Sequence, residues 1–151
     1  MFFDLEFAIW NLESGIEHEP EEVKMTKKIA AVADIAPGGI KAFEIDGKEI
    51  LVGNLDGAFY AVERRCGHMN APCEMGTLRG YILTCPMHFA QFDIRTGKVL
   101  KKPFIKSEPE GLPEKFRNFF EHSEEMAAKI STYDLKTFTV RVEGGDIFLM
   151  L

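Results

Sequence analysis

The chain has 151 residues, of which 46% are hydrophobic and 28% are charged, with 13 glycines and 7 prolines. This composition is typical of one ordinary globular domain and excludes disordered, collagen-like and membrane-spanning proteins. The formal net charge of -6 argues against nucleic acid or a membrane surface as a partner, because binding to either requires clusters of Lys and Arg.

The cysteines and the first residues indicate the compartment. Three cysteines do not make a paired disulfide framework, and cysteines near histidines in a reducing compartment more often bind metal or act in catalysis. The first residues include Asp4 and Glu6 and lack the basic start and the cleavage site of a secretory signal. We therefore expect a cytoplasmic protein whose candidate metal or catalytic residues include Cys66, Cys73 and Cys85.

The N-terminal segment predicts a helix. Apolar residues recur there at three- and four-residue spacing, at Phe2, Leu5, Ile9, Leu12 and Ile16. The acidic stretch of residues 17–22 then indicates a linker. We expect residues 1–25 to form an N-terminal helical extension that precedes one domain of residues 26–151.

Residues 28–100 read as a compact β domain, because short apolar runs alternate there with turn dipeptides. Asp46-Gly47 and Asp56-Gly57 are typical hairpin turns, since glycine adopts the positive φ that such turns need. The predicted strands are residues 29–35, 40–45, 49–54 and 58–64, a short hairpin over 78–85, and residues 91–93 and 98–100.

The C-terminal third predicts a helix and a hairpin. In residues 113–130 the apolar side chains fall at helical spacing, at Phe116, Phe119, Phe120, Met126, Ala127 and Ile130. The apolar face of this amphipathic helix either packs against the β domain or contacts a redox partner or a second copy of the chain. Residues 137–143 alternate apolar and polar side chains, and Gly144-Gly145 turns the chain into a last strand at 146–151.

Cysteine and histidine occur together in two short motifs, Cys66-Gly67-His68 and, after 16 intervening residues, Cys85-Pro86-Met87-His88. Residues two apart on an extended segment share a face, so Cys66 and His68 can point into one site. The hairpin over 78–85 has the length to bring the second motif beside the first. We therefore expect Cys66, His68, Cys85 and His88 to converge between two loops.

The donor set favours iron over zinc. Structural zinc is usually clamped by Cys-x2-Cys, whereas two cysteines and two histidines match a [2Fe-2S] cluster in which the cysteines bind one iron and the histidines the other. A structural zinc protein is the alternative, and it would be colourless. We leave Cys73 outside the site as a small buried thiol without a partner in either loop, and we leave His18 and His122 unassigned.

The motifs resemble those of the Rieske [2Fe-2S] ferredoxin family, over residues 28–100 and again over 131–151. The run APCEMGTLRG after His68, the segment HFAQFDIRTGKVL from His88 and the terminal TFTVRVEGGDIFLML carry this resemblance, although Phe89 stands where glycine is usual. The resemblance implies an all-β fold, a Rieske-like antiparallel β sandwich with a small inserted cluster-binding subdomain at about 64–93. Residues 104–130 are then a helical insertion.

The resemblance also implies the redox behaviour. Two thiolates and two neutral imidazoles leave the oxidised site formally neutral, so that it accepts an electron more readily than an all-cysteine cluster. High-potential members of the family have serine and tyrosine hydroxyls where this chain has Ala90 and Phe92, and a disulfide cysteine where it has Met87. We expect a potential near the low end of the Rieske range, on the order of -150 mV.

The implied function is that of a soluble electron carrier that takes electrons from a reductase and passes them to a terminal oxygenase or a similar acceptor, without being an enzyme itself. The alternative is a small or regulatory Rieske subunit of a larger oxidoreductase such as nitrite reductase. A terminal oxygenase is rejected, because it typically needs two further histidines and a carboxylate around a mononuclear iron. Only His18 and His122 remain, with no second domain to house them.

Overall fold

The computed structural model describes residues 25–104, 111 and 113–151, so that the predicted N-terminal helix and acidic linker lie outside the described residues. The described residues form ten strands and one α-helix. In chain order these elements are β1 (Thr26–Ala31), β2 (Ile40–Ile45), β3 (Lys48–Leu55), β4 (Ala58–Glu63), β5 (Thr77–Arg79), β6 (Ile82–Thr84), β7 (Gln91–Asp93), β8 (Val99–Lys101), α1 (Glu114–Lys129), β9 (Thr137–Glu143) and β10 (Asp146–Met150).

Six strands form the larger antiparallel sheet, in the order β1-β10-β9-β4-β3-β2. The pairing of Val62 in β4 with Thr137 in β9 joins its two three-stranded halves. Buried apolar side chains from both halves share one core, formed by Ala30, Ile35, Ile50, Val52, Phe59, Ala61, Ile147 and Leu149. The predicted antiparallel β sandwich is therefore confirmed, and alternation of buried and outward-facing residues along β10 shows why.

The hairpins of this sheet turn where glycine was expected. Asp46 and Gly47 connect β2 to β3, and Asp56 and Gly57 connect β3 to β4, and all four residues have positive φ. Two successive left-handed residues produce the turn whose twist matches that of the flanking strands. The prediction for β2 is confirmed at both ends, and β3 extends one residue beyond the prediction on each side.

The four short strands form a second antiparallel sheet, in the order β5-β6-β7-β8. A second core links it to the larger sheet and contains Leu51, Val62, Cys66, Ala71, Cys73, Leu78, Leu83, Cys85, Ala90, Phe92, Ile94 and Leu135. Gly53 of β3 lies at the contact, because a Cβ atom there would lie 2.4 Å from the Cδ1 atom of Ile94. The small sheet therefore holds the second Cys-His motif close to β3 and β4.

The first strand differs from its prediction. β1 ends at Ala31, and residues Val32–Asp34 form a single 3-10 turn instead of continuing the strand. The carboxylate of Asp34 accepts a hydrogen bond of 2.8 Å from the backbone N–H of Ala31, and this local bond closes the turn.

Helix α1 occupies the predicted segment, but its apolar residues do not form a buried face. The Phe119 side chain is 66% exposed and the Met126 side chain 52%, whereas Ala127 is only 9% exposed. Ala127 is the buried residue of this helix, so the contact of α1 with the β domain is made by its last turn. Among the residues that the structure describes, no helix combines the length and the apolar character needed to cross a bilayer.

Candidate metal centre

The two Cys-His motifs lie on loops of the same design. In the first loop the backbone N–H of Cys66 donates a 2.9 Å hydrogen bond to the carbonyl oxygen of Ala71, and in the second Cys85 does the same to Ala90, also at 2.9 Å. The residue before each acceptor, Asn70 or Phe89, has positive φ. Each loop thus folds back on its cysteine within five residues, which positions the motif side chains without help from a longer strand.

The cysteine sulfurs of the two loops lie together. The Sγ atoms of Cys66, Cys73 and Cys85 are all within 4.8 Å of one another, and all three side chains are buried. The prediction that Cys73 is a small buried thiol is confirmed. The accompanying expectation that it has no partner in either loop is wrong, because the fold places its sulfur beside both.

Cys73 reaches this position through the backbone. Its N–H donates a 3.0 Å hydrogen bond to the carbonyl oxygen of Arg64, just before the first motif, and the residue then opens the 3-10 turn Cys73–Met75. The spacing of Cys73 from either motif does not match a ligand pattern. The sequence therefore contains no sign that the sulfur of Cys73 lies beside those of Cys66 and Cys85.

The contacts among the three sulfurs shift the pKa values of the cysteines in different directions. Hydrogen bonds from the thiols of Cys66 and Cys73, and then from backbone N–H groups at Met87 and His88, hold the pKa of Cys85 well below its usual value. Contacts with Cys66 and Cys85, together with burial, raise the pKa of Cys73. Of the three sulfurs, Cys85 is therefore the one on which negative charge is most favoured.

The two motif histidines also lie together. The ring centroids of His68 and His88 are 5.1 Å apart, with the ring planes at 87°. His68 is only 7% exposed, and its Nε2 atom lies 3.1 Å from the carbonyl oxygen of Ala127. Since a carbonyl oxygen can only accept, Nε2 carries the proton and Nδ1 carries the lone pair.

That lone pair fits an iron ligand. The Nδ1 atom of His68 is buried and has no hydrogen-bond partner among the described residues. An unsatisfied polar atom of this kind costs about 1–3 kcal/mol unless a metal or a water binds it. Metal-binding histidines usually donate their other N–H to a carbonyl or carboxylate, as His68 does to Ala127, which fixes the tautomer and the ring orientation.

The segments on either side of the helical insertion are attached to the two loops. The backbone N–H of Phe104 donates a 2.8 Å hydrogen bond to the carbonyl oxygen of His88, and that of Tyr133 donates one of 3.0 Å to Gly67. The rings of Phe104 and Phe89 stack with centroids 5.3 Å apart. This stack, worth about 0.5–1.5 kcal/mol, offsets much of the roughly 1–2 kcal/mol that a left-handed backbone costs at Phe89.

Ion pairs anchor the first loop to the larger sheet. The Arg64 guanidinium lies 2.6 Å from a carboxylate oxygen of Glu49 and also pairs with Glu74, while Arg65 pairs with Glu49 at 2.8 Å. Hydrogen bonds from Arg65 hold the pKa of Glu49 below its usual value, and hydrogen bonds from Arg64 do the same for Glu74. These pairs connect the strand before Cys66 to β3 and to the turn that begins at Cys73.

The model of the Rieske [2Fe-2S] domain family matches residues 25–147 of the chain. The ferredoxin component of biphenyl 2,3-dioxygenase from Rhodococcus jostii (strain RHA1) is 31% identical over 124 residues, which are 82% of this chain and 91% of that protein. The 3-phenylpropionate/cinnamic acid dioxygenase ferredoxin subunit of Escherichia coli (strain K12) is 34% identical over 122 residues, or 80% and 88% of the two chains.

Two solved structures share the fold. A chain in the complex of reduced oxygenase and oxidized ferredoxin in carbazole 1,9a-dioxygenase is similar at a TM-score of 0.60 and 25% identity, covering 82% of this chain and 99% of that one. The ferredoxin of carbazole 1,9a-dioxygenase from Nocardioides aromaticivorans IC177 is similar in fold at a TM-score of 0.62 and 23% identity, covering 83% and 97%. The chain belongs to the Rieske [2Fe-2S] domain family, and its cofactor is a [2Fe-2S] cluster.

Proposed function

We propose that this chain is an electron carrier that holds one [2Fe-2S] cluster through Cys66, His68, Cys85 and His88. The two thiolates would hold one iron and the two imidazoles the other, His68 through its Nδ1 atom. The observation that carries this assignment is the buried Nδ1 atom of His68, which lacks a hydrogen-bond partner among the described residues while Nε2 donates to Ala127. We leave Cys73 outside the ligand set, because it belongs to neither Cys-His motif.

The cofactor supplies reversible one-electron chemistry, and the protein supplies its surroundings. Buried Cys66 and Cys85 keep water away from the sulfur side of the site, and Ala90 and Phe92 of the same core are fully buried without a side-chain donor. Fewer hydrogen bonds to the sulfurs leave the reduced, more negative form less stabilised. This environment supports the proposal of a potential near the low end of the Rieske range.

The partners that we propose are a reductase as donor and a dioxygenase as acceptor. The relatives in Rhodococcus jostii and Escherichia coli are named as ferredoxin parts of dioxygenase systems. This chain covers most of the length of both relatives, and neither of them is named as a catalytic component. The chain also has a second core around the candidate cluster site. The relatives favour a carrier over the alternative of a Rieske subunit of nitrite reductase.

We retain the division of the chain made from the sequence, with an extension at 1–25, a Rieske domain at 26–151, a cluster-binding part at about 64–93 and an insertion at about 104–130. We also retain the cytoplasm as its compartment. All three cysteines are free of disulfides in the structure. A reducing compartment would keep the two ligand cysteines in this state and so available to iron.

Anaerobically purified protein tests the ligand set. We expect a red-brown protein with about two iron ions per chain, and an average g value in the dithionite-reduced state below that of all-cysteine clusters. His68→Ser and His88→Ser should lose this signal, whereas His122→Ser, on the exposed side of α1, should keep it. Zinc in place of iron, or a spectrum of the all-cysteine type, would overturn the proposal.

Electron transfer itself is tested by mixing the reduced protein with the oxygenase component of a biphenyl dioxygenase under exclusion of oxygen. Oxidation of the carrier should be second order in the two proteins and should appear as the return of its visible absorbance. A carrier that stays reduced in the presence of dioxygenase components, and instead copurifies with a larger oxidoreductase, would favour the subunit alternative.

A further inference from the structure

The last turn of helix α1 covers one candidate ligand histidine. The carbonyl oxygen of Ala127 lies 3.1 Å from the Nε2 atom of His68, and both residues are buried, at 9% and 7% exposure. Nε2 is the ring atom that points away from a metal bound at Nδ1. The outer edge of the His68 imidazole, where a partner protein would have to touch it, is therefore occupied by this chain itself.

Backbone hydrogen bonds hold the chain against both loops on either side of the helix. Phe104, before α1, is bonded to His88, and Tyr133, after α1, is bonded to Gly67. These attachments lie at the two ends of the segment that contains α1. They limit how far its last turn can move away from His68.

His88 is placed differently. Its side chain is half-buried rather than buried, and it borders an open cavity of about 140 Å³. The cavity is lined by His88, Pro103, Phe104, Glu124, Ala127 and Ala128. The same helical turn that covers His68 thus forms one wall of an opening beside His88.

We propose that helix α1 shields His68 and leaves His88 as the imidazole through which electrons enter and leave. This inference rests on the proposed function. Electron exchange between proteins slows steeply as the distance between the redox centres grows, so that a partner must approach an imidazole edge that it can reach. A partner that docks at the cavity meets His88 directly, whereas a helical turn separates it from His68. The reductase and the oxygenase therefore use one face in turn.

The contact has a second effect, on the potential. Donation from Nε2–H of His68 to a carbonyl oxygen makes the imidazole a stronger electron donor to its iron. A stronger donor favours the oxidised state. Loss of this hydrogen bond should therefore raise the midpoint potential while the ligands remain in place.

Acylation with diethyl pyrocarbonate, followed by peptide mass spectrometry, tests the shielding in the wild-type protein: Nε2 gives up its proton and takes the ethoxycarbonyl group, while ethanol and carbon dioxide are released. The cluster is first quantified by iron content and by the electron paramagnetic resonance spectrum. We expect His88 to react about tenfold faster than His68, the ratio that corresponds to opening one hydrogen bond of about 1.4 kcal/mol. Exposed His122 reports that the reagent is active. Equal rates at His68 and His88 in cluster-loaded protein would overturn the inference.

Two matched variants extend the test. Ala127→Leu adds bulk at the buried contact and should push the helix away, so that His68 becomes reactive and the midpoint potential rises. Asn118→Leu adds an apolar side chain at an exposed position of α1 outside the cavity and should change neither the His68 reactivity nor the potential. If Ala127→Leu does not fold, the acylation rates of His68 and His88 in the wild-type protein still decide whether His68 is shielded.

A third variant tests the docking face. Ala128→Trp fills the cavity beside His88 and should slow oxidation by the oxygenase, while Asn118→Trp, at an exposed position earlier in α1, should not. Reduction by dithionite is the control for the cluster. Absence of iron would refute the proposed function, whereas a loaded cluster with an unaffected rate in Ala128→Trp would refute only the exit through His88.

Discussion

Gly67 and Tyr133 approach so closely that a side chain at Gly67 has no room. The backbone N–H of Tyr133 donates a 3.0 Å hydrogen bond to the carbonyl oxygen of Gly67. A Cβ atom at Gly67 would lie 2.0 Å from the carbonyl oxygen of Tyr133. Because this oxygen belongs to the backbone, the clash cannot be relieved by a change of side-chain rotamer.

Gly67→Ala should therefore separate the first loop from the segment after α1. We expect the variant to lose more than about 2 kcal/mol of unfolding free energy and to bind iron incompletely, because Gly67 lies between Cys66 and His68. Iron analysis and thermal unfolding measure both effects. Gly47→Ala is the control, since its Cβ meets open space and should cost only the roughly 1–2 kcal/mol of a left-handed backbone. Full iron content in Gly67→Ala would contradict the prediction.

Cys73→Ala should keep the cluster and lower its midpoint potential. The Sγ atom of Cys73 lies within 4.8 Å of both predicted ligand sulfurs, so a thiol there can offer a weak S–H donor to them. Donors near the sulfurs stabilise the reduced state, and their removal favours the oxidised one. Redox titration followed by electron paramagnetic resonance measures the shift. Cys85→Ser is the comparison and should lose the native signal; loss of the cluster in Cys73→Ala would show that Cys73 is a ligand.

Phe92→Tyr and Ala90→Ser should raise the potential. Both positions are fully buried in the core that contains Cys66 and Cys85, and a hydroxyl added there would supply a hydrogen-bond donor in the surroundings of the cluster sulfurs. We expect the wild-type protein to titrate on the order of -150 mV and both variants to titrate higher. Tyr81→Phe removes a hydroxyl from an exposed position and should leave the potential unchanged. A wild-type midpoint above about +100 mV would contradict the low-potential assignment.

Acid should weaken the turn after β7. Hydrogen bonds from Arg95 hold the pKa of Asp93 below its usual value, and the carboxylate also accepts a 2.9 Å bond from the backbone N–H of Arg95. A carboxyl whose pKa is lower in the folded than in the unfolded protein stabilises the fold above its unfolded pKa of about 3.9. That contribution is lost as the pH falls through the folded value.

Asp93→Asn isolates this charge, because the amide oxygen can still accept from the backbone N–H of Arg95. We expect the variant to be less stable than wild type between about pH 5 and pH 7, with the difference shrinking below about pH 4. Thermal unfolding of both proteins at each pH gives the difference directly. A difference that is constant down to pH 3 would mean that the charge of Asp93 does not contribute. Asp56→Asn, in an exposed hairpin turn, serves as the control.

Local patterns account for most of the strands and for the predicted ligands. The Asp-Gly turns at Asp46 and Asp56 require little beyond their own residues, since glycine and aspartate accept the left-handed conformations that a tight hairpin needs. The strand prediction failed at residues 32–35, where a local hydrogen bond from the backbone N–H of Ala31 to the Asp34 side chain competes with an extended chain. Such competition depends on where the chain goes next, which the alternation of apolar residues does not encode.

The prediction for α1 failed in a different respect, the burial of its apolar side chains. The three- and four-residue spacing predicted the helix correctly, but it suggested a continuous apolar face, and Phe119 and Met126 remain exposed. Periodicity reports which residues share a side of a helix. Whether that side meets the β domain depends on where the two ends of the helix are attached.

The sequence by itself determined the candidate donor set, because thiol and imidazole side chains at the spacing of Cys66 to His68 and Cys85 to His88 are a matter of residue type. Only the tertiary structure decided what surrounds them. The carbonyl oxygen of Ala127 over His68 lies 59 positions away in sequence, and it is a backbone atom that every residue possesses. Contacts made by backbone atoms leave no trace in residue type, so that the shielding of one imidazole and the opening beside the other arise from the packing of the folded chain.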